Sequence, residues 1–177
     1  MGVSDLLLIG IEVSVAFAGF AGIVATFQTG EGKVIRRGTV SGLTLIVQYS
    51  LAVAFFCALP RILFEFSLPE RNVWSICSIL AAIATVGLSY SAFINTRGAI
   101  RRRYTFFLVV TLHFINVPVV LGLIFNAADM VFHREAGPYL VALTYPLIMV
   151  GYMFSNLLLQ PLWRSLRQQE NMKLGQT

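Results

Sequence analysis

Charge is what this sequence lacks first. Only 12% of its 177 residues are Asp, Glu, Lys or Arg, about half the share of a soluble globular domain. Hydrophobic residues make up 57%, more apolar surface than a soluble chain of this length can hide. Lysine occurs only at Lys33 and Lys173, both outside the apolar blocks described below, so no lysine is placed for a retinal-type Schiff base. The two histidines, His113 and His133, fall in a block and in a loop, which excludes a bis-histidine haem within one chain. No GxSxG, HExxH, CxxC or glycine-rich phosphate loop occurs. We expect neither an enzyme, nor a cofactor, nor a bound metal.

What is present is apolar length. Five blocks, at about residues 6–27, 39–59, 73–94, 104–127 and 139–159, approach the ~20 residues that a helix needs to cross a bilayer. In hydrocarbon every backbone amide must be satisfied within its own segment, so the blocks are helices. The expected fold is an all-α integral membrane protein, a single bundle of five transmembrane helices followed by a cytoplasmic tail at 160–177. A cleavable signal would place basic residues ahead of the first block, and MGVSD offers Asp5 instead. The same start lacks the Ser or Thr that myristoylation wants at position six.

Basic residues sort by loop. Lys33, Arg36 and Arg37 follow the first block; Arg97, Arg101, Arg102 and Arg103 follow the third; Arg164, Arg167 and Lys173 follow the fifth. The other flanks hold only Arg61, Arg71 and Arg134, with Asp5, Glu65, Glu70, Asp129 and Glu135 beside them. Since cytoplasmic loops carry the excess of Lys and Arg, the N-terminus is expected outside and the C-terminus inside. The cluster RGAIRRRY is read as a topology signal lying against anionic lipid, at Arg101, Arg102 and Arg103, and not as a nucleic-acid site. Trp74, Tyr104, Tyr139 and Trp163 stand at block ends, where aromatic rings anchor helices among headgroups. Pro60 is expected to end the second block before a short interfacial helix, while Pro118 and Pro146 kink the fourth and fifth.

Spanning helices meet through small residues. Gly10, Ser14, Ala18 and Gly22 recur every fourth residue and are taken as one packing ridge. Glu12, Ala16 and Gly19 form a second small face, and Ser75, Ser78, Ala82, Thr85 and Ser89 a polar stripe along the third block. Using both faces of the first helix favours a homo-oligomer.

Glu12 is the one acid inside a block. A carboxyl at that depth must be neutral, paired or wet, and at ~1.5 Å of rise per residue Ser78, Thr144 and Tyr145 fall at its level. We expect a hydrogen bond from Glu12 to one of these. A second layer comprises Gln48, Thr85, His113, Asn116 and Tyr152. Continued to Ser155 and Asn156, these groups could line a pore or polar cavity for protons or water, or could simply glue the bundle. The first reading makes the chain a small homo-oligomeric channel or transport-type protein. The second makes it a non-catalytic accessory subunit. Asp129, His133 and Glu135 could share a metal but are read as a solvated loop, and Cys57 and Cys77 as free core thiols rather than a disulfide.

The wording EVSVAFAGFAGIVATFQ followed by VQYSLAVAFFCALP resembles the opening spans of a family of small bacterial multi-spanning inner-membrane proteins with no assigned function. The resemblance implies a bacterial plasma membrane and nothing about chemistry.

Overall fold

The computed structural model describes residues 2–29, 37–96 and 103–174, with side chains at 2–27, 40–94 and 114–159. These residues form five helices and no strand: α1 Val3–Thr29, α2 Arg37–Glu65, α3 Glu70–Thr96, α4 Arg103–Ala127 and α5 Ala136–Leu174. Four are long and apolar enough to cross a membrane, over Val3–Phe27, Val40–Glu65, Glu70–Ile94 and Ala136–Leu159. In α4 the described apolar stretch is Phe114–Ala127. The outward surface is aliphatic and aromatic, with Phe27, Ile83, Val141 and Ile148 all exposed, as a lipid solvent requires.

Consecutive helices run antiparallel. Gln48 of α2 meets Ser91 of α3, and Phe64 meets Trp74 at the other end of the same pair. Ser89 of α3 meets Asn116 of α4, and Ser75 meets the carbonyl of Ala127. On α5, Tyr139 reaches Phe56, and Leu157 lies over Gly42 of α2. The helix ends that flank the two arginine-bearing turns therefore gather at one end of the bundle. The N-terminus and the α2–α3 and α4–α5 connections gather at the other.

The core has two halves. One surrounds Cys57, Cys77, Trp74, Leu123 and Tyr139; the other joins Ala21, Ile46, Val150 and Leu157, with Phe17 packed edge-on to Phe154 at 5.7 Å. One close approach rests on a glycine. Gly10 lies so near Cys57 that a Cβ there would stand 2.6 Å from Sγ, whereas a Cβ added at Gly151 would meet the Phe17 ring at 3.6 Å, an ordinary contact.

Three sequence expectations are corrected here. The ridge on α1 is not Gly10–Ser14–Ala18–Gly22. Gly10, Ser14 and Ala21 are buried and Phe17 half-buried, Ala18 is half-buried, and Gly22 is exposed with nothing near its Cβ position. The reason is rotational: four-residue steps advance about 400° and drift off a fixed face by about 40° each, whereas alternating steps of four, three and four residues stay on it.

Pro60 does not end α2, which runs on to Glu65. Its ring removes the N–H that would bond the carbonyl of Phe56, and the Tyr139 hydroxyl donates to that same carbonyl at 2.6 Å. A neighbouring helix thus satisfies what the proline frees. Nor are Trp74 and Tyr139 lipid-facing anchors, being 3% and 0% exposed; Tyr104 and Trp163 lie outside the described side chains. Cys57 and Cys77 are buried free thiols, as expected.

Candidate functional site

The polar stripe on α3 faces inward and meets α4 at two levels. Near the loop end, Asn126 is wholly buried. Its Nδ2 donates to Ser78 Oγ at 3.0 Å and to the carbonyl of Glu135 at 3.0 Å, while its Oδ1 accepts from the Glu135 N–H at 3.1 Å. One amide therefore ties α3, α4 and the start of α5 together. Outside it, Arg71 forks onto Asp129 at 2.9 and 3.2 Å, and His133 lies 3.7 Å from the same carboxylate. Asp129, His133 and Arg134 hold left-handed backbone, which sharpens this connection. Among the described residues no group of three or more potential metal ligands gathers.

At mid-helix, Asn116 donates through Nδ2 to Ser89, which donates in turn to the Thr85 carbonyl at 2.7 Å. Tyr49 lies beside Ser89. Asn116 Oδ1 is buried with no partner among the described residues. Asn116 also lines a partly open cavity of about 30 Å³, together with Tyr49, Thr85, Tyr145 and Pro146 among others. A cavity holds a water once it offers ~10–15 Å³ and a few polar partners, so this one suits one or two. Pro146 also lies inside α5 and leaves the carbonyl of Ala142, another residue of the cavity wall, without its usual helical donor.

Of the predicted site residues, Thr85, Asn116 and Tyr145 converge on this cavity. Ser78 belongs to the Asn126 tie instead. Gln48 is exposed and reached by Ser91 at 3.5 Å, Tyr152 is exposed, and the His113 side chain lies outside the described residues. Ser155 and Asn156 are exposed and bond the carbonyls one turn back, at Gly151 and Tyr152.

The expected bond from Glu12 to Tyr145, Ser78 or Thr144 does not form. Glu12 is exposed on the bundle's outer surface, and no described residue bonds it. Geometry requires this. Glu12 lies about 200° around the helix from Gly10 at ~100° per residue, so packing Gly10 on Cys57 turns Glu12 directly away. Thr144 bonds the Leu140 carbonyl and is exposed.

Sequence reasoning passed over Asn126 and the role of Tyr139. A lone amide within LGLIFNAADM and the carbonyl four residues before Pro60 were the available signals. Removing the Tyr139 hydroxyl leaves the Phe56 carbonyl buried and unsatisfied, so Tyr139→Phe is expected to cost ~1–2 kcal/mol. Detergent-titrated unfolding in bicelles measures it, and a loss within ~0.3 kcal/mol of zero would refute the pairing.

Comparison with known protein families, curated proteins and solved structures gives no match.

Proposed function

We propose that the chain is a small multi-pass membrane protein of the channel or transport type, working as a homo-oligomer, with the Thr85–Asn116–Tyr145 chamber as its intramembrane polar site. In this reading α4 crosses the bilayer with the other four helices, the N-terminus lies outside and the C-terminal tail in the cytoplasm. The membrane is a bacterial plasma membrane, with Arg101, Arg102 and Arg103 against anionic lipid.

One observation carries the reading: Asn116, whose Oδ1 is buried without a partner among the described residues, lines a cavity of about 30 Å³. An orphaned acceptor in a protein interior costs ~1–3 kcal/mol and is kept where something fills it. The volume fits water, a proton carried on water, or one small cation. It does not fit an organic solute in this conformation.

The accessory-subunit reading has its own support. Asn116 to Ser89, Asn126 to Ser78 and Tyr139 to Phe56 each join two different helices, which is what structural glue does.

Flux separates the two. In liposomes carrying osmotic, proton and small-cation gradients, wild type is expected to conduct at least one species. Asn116→Leu is expected to lower that flux at least tenfold, and Glu12→Gln to leave it intact, since Glu12 faces away from the chamber. Silence of the wild type under every gradient, with Asn116→Leu folded and at least as stable, would establish the accessory role.

A further inference from the structure

We infer that the outer face of α1 is where a second copy of this chain seats, and that the two copies meet through their Glu12 carboxyls. The inference rests on the membrane-embedded homo-oligomer proposed above, though not on transport.

Glu12 lies nine residues inside α1, which begins at Val3, or ~14 Å along the helix axis. Leu8, Ile9, Val13 and Val15 around it are exposed and aliphatic, so the surrounding solvent is hydrocarbon. A carboxyl facing lipid at that level is expensive and is expected to have a partner. Within the chain it has none among the described residues.

The same face is shaped to admit another helix. Ala16, Gly19, Ile23 and Thr26 lie within about 40° of Glu12 around the helix, by ~100° per residue. Ala16 and Gly19 are exposed, and a Cβ added at Gly19 would meet nothing within 4 Å. Small residues flanking a polar one are what allow backbones to approach in lipid. The bundle leaves this face uncovered because it spends the opposite one, through Gly10 and Ser14, on α2.

Symmetry selects the occupant. Two copies in one membrane share a topology, so a twofold axis along the membrane normal places every residue of one copy at the height of its equivalent in the other. A group on the contact face then meets its own counterpart. Glu12 meets the Glu12 of the second copy, and a pair of facing carboxyls can hold a proton between their oxygens. A different membrane protein would have to bring its own donor to that height. A copy of this chain does so without further provision.

The test is cross-linking in native membranes, with Cys57 and Cys77 left in place because both are buried. Under a mild oxidant, Gly19→Cys is expected to give a covalent dimer, and Ile83→Cys, on the exposed side of α3, is not. In bicelles with light scattering, Glu12→Gln is expected to retain the dimer, because an amide still donates and accepts. Glu12→Leu, which suits lipid and should fold, is expected to weaken it roughly tenfold. A dimer that cross-links at Ile83→Cys but not at Gly19→Cys, or that ignores Glu12→Leu, overturns this interface and leaves the homo-oligomer standing. A wild type that is monomeric in membranes and bicelles overturns both.

Discussion

Asn126→Leu is expected to destabilise the bundle by ~2–4 kcal/mol, the largest loss from any single polar side chain. The substitution is close in volume and adds apolar surface, so packing alone would predict a neutral or favourable change in lipid. What it removes is a partner of three groups: Ser78 Oγ, the carbonyl of Glu135, and the Glu135 N–H, which keeps only its shared bond to the Phe132 carbonyl at 3.1 Å. The two backbone groups belong to the connection that brings α5 back against α3 and α4, where Asn126 stands in for a strand partner. Asn126→Asp is expected to fall between, because it keeps the acceptor for the Glu135 N–H and loses both donors. Ser78→Ala is expected to cost under ~1 kcal/mol, since the amide still holds Glu135. Unfolding by detergent titration in bicelles ranks the three, and a Ser78→Ala loss equal to that of Asn126→Leu would mean the α4–α5 connection does not depend on Asn126.

The second large effect is steric. Gly10→Ala sets a methyl where Cys57 Sγ would stand 2.6 Å away, too close unless the buried thiol turns or the two helices part. Overpacking of this kind costs ~1–3 kcal/mol, and Gly10→Leu is expected to separate α1 from α2 altogether. Cys57→Ala removes the clashing sulfur and leaves its Cβ at 3.8 Å, an ordinary contact. The double variant Gly10→Ala, Cys57→Ala is therefore expected to recover most of the loss, with a coupling of at least ~1 kcal/mol in the cycle. Simple additivity would show that the α1–α2 approach is set elsewhere. Gly22→Ala, one notional ridge step further on, is expected to be silent because its Cβ position meets open space.

These variants also mark how far the residue string could be read. Helix number and class were legible because lipid imposes a length and a composition on each segment, and runs such as LLLIGIEVSVAFAGF satisfy both. The inward stripe from Ser75 to Ser89 was legible because its alternating three- and four-residue steps stay on one face of a helix. Gly10 to Gly22 misled for the complementary reason, since equal four-residue steps rotate away. Glu12 misled because depth was inferred and azimuth was not. Residues at one height can point in any direction, and the Gly10–Cys57 approach decided which.

Composition and periodicity alone determined that this chain is helical, that four of its segments are apolar enough to cross a bilayer, and which residues its helices occupy, because those are properties of single segments against their surroundings. The folded bundle decided the pairings: that Tyr139 serves the carbonyl released by Pro60, that Asn126 and not Glu12 is the buried polar tie, and that Asn116 lines a cavity. Each of these depends on how one helix is rotated against another, and rotation is settled by side chains meeting across a gap that no one-dimensional pattern encodes.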